Sequence, residues 1–212
     1  MADVVAERCA AAALLWSCEP ALVAPLRMSS LSGFNRARTA SARAGLPVHL
    51  RATGGDLVPQ GPGIVNLTLV FRGPRSAAFS LEAAYKRLTA PICEALSGLG
   101  LSPHHAPVPG AFCDGRFNVT VMGRKFAGTA QRWRSMAGGY AVQAHALMLM
   151  HTPDEIMIAA LNRFYRDCGI DRVIDARAHV GLHDMVSAGS RNDVERRFLK
   201  RVAFFPPHSL QL

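Results

Sequence analysis

The stretch Phe117-Asn118-Val119-Thr120-Val121-Met122-Gly123-Arg124-Lys125-Phe126-Ala127-Gly128-Thr129-Ala130-Gln131-Arg132-Trp133 decides the architecture. Residues 117–121 alternate apolar and polar, the period of a half-buried strand. Met122-Gly123-Arg124 supplies a turn, and Lys125 to Trp133 returns as the second strand of a hairpin. A further strand, Tyr140 to Met150, enters through Gly138-Gly139. Upstream, Ile64 to Phe71 alternates in the same way, and Pro47 to Arg51 reads as a short strand. Ala21 to Ala24 is extended between Pro20 and Pro25, and Leu99 to Pro109 reads as loop with a few extended residues.

Helices separate these strands. Phe34 to Ala44 carries an arginine face (Arg36, Arg38, Arg43) and stops at Gly45. Ser80 caps a helix from Leu81 to about Leu96, which Pro91 is expected to kink. Pro153, after Thr152, takes the first position of a helix running to about Asp167, and Cys168-Gly169 closes it. Asn192 to Val202 turns Val194, Phe198 and Val202 inward and its arginines outward. Asp3 to Trp16 also reads as a helix, because Val5, Cys9, Ala12 and Trp16 recur at helical spacing and Asp3 and Glu7 suit its first turn. With no repeat and no shift in composition, residues 1–212 read as one α+β domain, a mixed sheet flanked by helices, with no C-terminal accessory domain.

Half of the 212 residues are apolar and 18% are charged, which excludes a disordered chain. The net charge of +9 favours acidic partners. Of the 24 basic residues only Lys86, Lys125 and Lys200 are lysine, so each lysine poses the question of why arginine does not stand there. The longest apolar run, Cys9 to Trp16, is too short to span a bilayer. Asp3 and Glu7 ahead of Arg8 argue against a signal peptide. Cys9, Cys18, Cys93, Cys113 and Cys168 are scattered and form no CxxC pair, so neither a zinc site nor a disulfide framework is indicated. Reduced thiols and a cytoplasmic location are expected, with no metal and no membrane association. Nucleic-acid binding rests on charge alone and has no recognition motif behind it.

Two motifs carry the chemistry. Thr53-Gly54-Gly55, followed by Gly61-Pro62-Gly63, is a loop where backbone amides can approach a ligand. It leads into a strand rather than a helix, so it is not a phosphate-binding P-loop. Lys125 opens a strand of small residues, Gly128-Thr129-Ala130, which keeps a cleft wall thin. A lysine there supplies a compact charge or a tunable amine.

Taken together, Arg51-x-Thr-Gly-Gly-x-x-Val-x-x-Gly-Pro-Gly-x-x-Asn66, Gly-Arg-Lys125-x-x-Gly-Thr-Ala-Gln131 and Gln143-Ala144-His145-Ala146-Leu147-Met148-Leu149 resemble the biotin/lipoate protein ligase and octanoyltransferase superfamily over residues 3 to 187. The resemblance implies the α+β fold of class II aminoacyl-tRNA synthetase and biotin synthetase cores. It implies attachment of a lipoyl or octanoyl group to a lysine of a carrier domain, with lipoate or octanoate as substrate and with ATP and Mg if the chain is a ligase. It implies an acidic lipoyl-domain or carrier partner, and an accessory subunit in some systems. By position Lys125 is the family lysine that meets the acyl carbonyl. Arg51, Thr53, Gly54, Gly55, Asn66, Gly128, Thr129, Gln131 and His145 border the pocket, although Ala146 replaces the family glycine after His145.

Ligase-like chemistry is the leading expectation from the Lys125 strand. The alternative is an ATP-free transferase acting through a cysteine, and a non-catalytic lipoyl-binding or partner subunit is the third reading. Two cysteines compete for the nucleophile. Cys168-Gly169 resembles the Cys-Gly of one transferase group, and Cys113 lies where another group carries its thiol. Asp56 replaces a glycine of the ligase loop and would repel an adenylate phosphate unless it faces away or binds a metal. Ala52 removes an arginine common in ligases, and Asn118 stands where they tend to carry Asp. The family's first strand is expected to be missing or displaced.

Overall fold

A computed structural model describes residues 1–6, 9, 11–76, 79–187 and 191–203. In chain order its elements are α1 (Ala2–Val5), β1 (Ala11–Trp16), β2 (Ala21–Pro25), α2 (Phe34–Arg43), β3 (Val48–Arg51), β4 (Val58–Gln60), β5 (Ile64–Pro74), α3 (Leu81–Ser97), β6 (His104–His105), β7 (Val119–Val121), β8 (Arg124–Met136), β9 (Gly139–Leu149), α4 (Glu155–Asp167) and α5 (Arg191–Ala203). Six strands form one sheet in the order β1-β5-β9-β8-β7-β6, every neighbouring pair antiparallel. A three-stranded sheet, β3-β2-β4, holds the parallel pairing, between β2 and β3. The mixed character expected of the fold is therefore confined to the small sheet.

The hairpin within residues 117–133 is β7 and β8. Met122 (φ 52°) and Gly123 (φ 71°) form its turn, with positive φ at both positions, as the right-handed strand twist requires. Ser80 caps α3 by accepting from the Ala83 amide at 3.1 Å, and the helix continues through Pro91. Val194, Phe198 and Val202 are buried on α5.

Two expectations change. Residues 11–16 are strand, not helix: Ala11 to Trp16 pair with Phe71 to Asn66 along the free edge of β5. Helical spacing in an alanine-rich run also satisfies a period of two, and the unpaired edge decides between them. The cap of α4 is Asp154, whose carboxylate accepts from the Met157 amide at 2.7 Å. Pro153 thus precedes the cap, and Thr152 instead donates to the Asp184 carboxylate.

Strand alternation sorts the large sheet into two faces. Leu67, Leu69 and Phe71 of β5 and Val142, Ala144, Ala146 and Met148 of β9 pack on α3 and α5. The opposite face meets the small sheet, α2 and α4, where Leu22, Leu57, Leu147, Phe164 and Cys168 share a second core. Thr68, His145 and Gln143 also point to that second side, and there the packing gives way to a cavity.

Candidate active site

The cavity holds about 360 Å³, within the range of small-molecule sites. It lies between the two sheets. The large sheet contributes Trp16, Thr68, His145 and Gly128, and the small sheet contributes Val23 and Val58. Arg51, Thr53 and Cys113 close the rim.

The Gly-Gly loop is held by its own arginine. Arg51 donates to the carbonyls of Val23 (2.9 Å) and Gly54 (3.1 Å) and to that of Asp56. Gly55 has φ +95°, and a Cβ there would stand 2.7 Å from Cys113 Sγ and 2.9 Å from Arg51 Nη2. A glycine is needed at 55 because the thiol occupies that space. Gly54 meets nothing within 4 Å.

Cys113 sits in a left-handed backbone conformation, φ 45°, which costs a residue with a Cβ on the order of 1 kcal/mol or more. Its surroundings offset that cost. The Asp56 amide donates to Cys113 Sγ at 3.0 Å. The residues on its N-terminal side are captured one after another. Asp175 N donates to Gly110 O at 2.9 Å, Arg172 to Ala111 O at 2.9 Å, and Phe112 N to His179 Nε2 at 3.1 Å. Lys125 Nζ donates to the carbonyls of Phe112 (2.6 Å) and Cys113 (2.8 Å).

Lys125 was expected to reach into the pocket and meet the acyl carbonyl. It is instead wholly buried under the cavity wall, with its nitrogen on the two carbonyls that flank the thiol's Cα. The side chain doubles back over its own strand, and a Cβ at Gly128 would come within 2.9 Å of Nζ. This closeness explains the small-residue wall. Burial pulls the Lys125 pKa down to about 8, opposed by the neighbouring Cys113 and Asp114. A lysine fits here because the site takes one compact donor, not a planar fork.

Two histidines at the site are neutral. His145 lies beside Thr68 Oγ1 (3.1 Å) and against the Trp16 ring, and burial with Arg51 nearby lowers its pKa to about 4. His179 stacks on Phe112 with ring centroids 4.5 Å apart. Its Nε2 accepts from Phe112 N, so Nδ1 carries the proton donated to Asp175 O at 3.0 Å. Burial, reinforced by Lys125, lowers its pKa to about 4.

Asp56 does not face the cavity. Its carboxylate pairs with Arg172 and accepts from Leu57 N at 2.9 Å. The repulsion it was expected to exert on a phosphate is therefore absent. The other predicted residues divide. Thr129 lines the cavity and donates to Phe117 O at 3.0 Å. Asn66 is buried behind it, exchanging hydrogen bonds with Gln60 at 2.8 and 3.0 Å. Gln131 faces away, donating to Leu81 O and accepting from Trp133. Asn118 donates to the Asp114 carboxylate at 2.7 Å. Cys168 caps the C-terminus of α4 in the second core, outside the cavity lining, and burial and Asp167 raise its pKa. Among the described residues no cluster of His, Cys, Asp or Glu could hold a metal, and no helix is long and apolar enough to cross a membrane.

Arg172, His179, Trp16, Thr68 and Phe112 escaped sequence reasoning. Register would have found Thr68, which stands opposite His145. Arg172 and His179 carry no local signal, since each acts on a loop about 60 residues away in the chain.

The family model of the lipoyl protein ligase A/B catalytic domain matches residues 5–201. The chain belongs to this family. An octanoyl-GcvH:protein N-octanoyltransferase of Kyrpidia tusciae is 34% identical over 192 residues, covering 86% of this chain and 64% of that protein. An uncharacterized protein of Cupriavidus necator is 36% identical over 191 residues, 84% of this chain and 76% of the relative. Among solved structures, lipoate-protein ligase A bound with ATP superposes with a TM-score of 0.63 at 16% identity, covering 91% of this chain and 71% of that one. At that identity the likeness establishes the fold: a sheet with flanking helices, as in lipoate-protein ligases.

Proposed function

We propose that this lipoyl ligase-family chain is an acyltransferase of protein lipoylation. It moves an octanoyl or lipoyl group from a donor onto the ε-amine of a lysine in a carrier domain, through an acyl-enzyme on Cys113. One observation carries the reading: Cys113 Sγ stands at the cavity rim, in a left-handed residue, with a backbone amide donating to the sulfur. An N–H aimed at sulfur favours the negative charge a nucleophilic thiolate carries.

In the proposed course, Cys113 Sγ attacks the acyl carbonyl and the donor's C–N or C–S bond breaks, its leaving group taking a proton. The acceptor amine then attacks the thioester. An amide forms, the C–S bond breaks, and the thiol recovers a proton. Gly128, Thr129, Val23, Val58 and Leu147 line the space beside the thiol, which suits an acyl chain. Lys125 acts from behind the loop. Its ammonium fixes the two carbonyls around Cys113 and places a positive charge near developing anionic charge. Arg51 holds the Gly54-Gly55 turn in the shape that receives the sulfur. Asn66 holds Gln60 of the wall, and His145 borders the chain as a neutral ring. Cys168 has no part in this course. ATP is not required, and the donor and acceptor are lipoyl-type carrier domains.

ATP-dependent ligation is the second reading, favoured by the turn of Asp56 away from the cavity. Intact-mass analysis after incubation with octanoyl-GcvH separates the two. The expected result is an octanoyl adduct on the wild type and on Cys168→Ser, and none on Cys113→Ser. Carrier modification that needs ATP and survives Cys113→Ser establishes the ligase and overturns the transferase.

A further inference from the structure

The cavity side of the large sheet runs on beyond the cavity. Cross-strand register places Leu14, Thr68, His145 and Ala130 in one row, and Ala12, Val70, Gln143 and Arg132 in the next. Arg134 follows two residues along β8 from Arg132 and so shares its face. Strand geometry puts Arg132 about 7 Å and Arg134 about 14 Å from Ala130 along β8, and Leu14 about 14 Å across the sheet. Arg132 and Arg134 are exposed, and Leu14 is 59% exposed. Neither arginine forms an ion pair among the described residues, whereas Arg172, Arg177 and Arg196 elsewhere do. Among the described residues α1 lies against β5, where Val70 of this row is buried, but Arg132, Arg134 and Leu14 stay exposed, while the reverse side packs on α3 and α5.

We infer that Leu14, Arg132 and Arg134 form the docking surface for an acidic protein domain, the one that delivers or accepts the acyl group. The inference rests on the transferase reading and names the partner's approach to the same site. Three features favour a protein partner. The surface adjoins the cavity on one continuous face, so a domain seated there reaches Cys113 with a short acyl-bearing arm. It presents two neighbouring guanidinium groups, and arginine is enriched at interfaces, with an exposed leucine about 16 Å away across the same face. Among the described residues no carboxylate pairs with either arginine, and the chain carries a net charge of +9, which draws an acidic surface in at long range.

The experiment uses octanoyl-GcvH as the carrier probe and p-nitrophenyl octanoate as a small acyl donor. The Arg132→Glu/Arg134→Glu double variant is expected to weaken carrier binding, read by fluorescence anisotropy, at least about tenfold. The wild-type affinity should fall between low and high salt, and the variant should lose most of that dependence. Leu14→Ala weakens binding less and leaves the salt dependence intact, while Arg132→Lys/Arg134→Lys restores most of the affinity. Acylation by the small donor stays within about twofold in every variant, since none of these side chains meets the thiol. Unchanged carrier affinity in the double variant overturns the docking surface, and so does binding of duplex DNA or anionic vesicles that the same variant abolishes. Failure of Cys113 to take the small donor's octanoyl group in the wild type overturns the acyl-enzyme reading instead, and binding still decides the surface.

Discussion

Cys113 and Cys168 are both buried in the same core and each borders a tight turn, yet their polar surroundings differ. The Cys168 thiol closes a helix, packed with Phe164 and Tyr165 in an apolar core. Burial and Asp167 hold it in its neutral form. The Cys113 thiol receives an amide hydrogen bond, faces a cavity, and sits on a backbone whose flanking carbonyls are taken by a buried ammonium. A Cys-Gly dipeptide is the better local match to a transferase motif, and it marks the quieter thiol. What sets the two thiols apart is the set of donors brought to Cys113, and those come from distant parts of the chain.

The largest expected effect breaks this comparison outright. Cys113→Ser should lower acyl transfer by about 10³-fold or more, while Cys168→Ala changes turnover by less than about twofold, both read in steady-state octanoyl transfer. Equal losses would mean that the two sites do not differ as drawn.

Acid should reveal a second difference. His179 keeps a folded pKa near 4 against 6.5 for the free side chain. Below pH 6.5 the unfolded chain binds its proton and the folded chain does not, so stability present above 6.5 is lost as pH falls toward 4. His145 acts in the same direction. Each contributes up to about 3 kcal/mol across that window. Chemical denaturation at pH 7 and pH 4.5 should show His179→Gln with a shallower pH dependence than the wild type. A parallel pair of curves would refute the buried-imidazole account of the Cys113 loop.

A smaller effect sharpens the geometry around the sulfur. Gly55→Ala places a Cβ against Cys113 Sγ at positive φ and should slow acylation by about tenfold. Gly54→Ala, one residue earlier and facing open space, should stay within about twofold. Stopped-flow release of p-nitrophenol measures both. The smallest prediction concerns the helix that ends at Cys168. Asp154→Ala removes its cap and should cost about 1 kcal/mol, or about 2–4 °C in Tm, without altering transfer.

Most of the fold is legible in local pattern. The β7–β8 hairpin, β5, β9, α2, α3 and α5 follow from period, turn glycines and caps that act within a few residues. β1 is not legible, because an alanine-rich segment satisfies both periods and only the vacant edge of β5 selects between them. The site divides along the same line. Arg51, Thr53, Thr129 and His145 are found from their motif and line the cavity, whereas Gly54 and Gly55 lie outside its lining, Gly55 against the Cys113 sulfur. Lys125 is found too, but its direction is not, because a side chain's rotamer depends on which carbonyls the fold places within reach.

From composition and period alone come an α+β domain, a strand-borne lysine, a glycine loop and a basic chain, and the resemblance to the family implies that lysine and loop share one site. These depend on interactions within a few residues, or on summed charge. The different surroundings of the two cysteines, the outward turn of Asp56, and the grip of Arg172 and His179 on residues 111–112 belong to the tertiary structure. Their partners are far apart in the chain, and a hydrogen bond leaves no trace in sequence until folding brings donor and acceptor within about 3 Å.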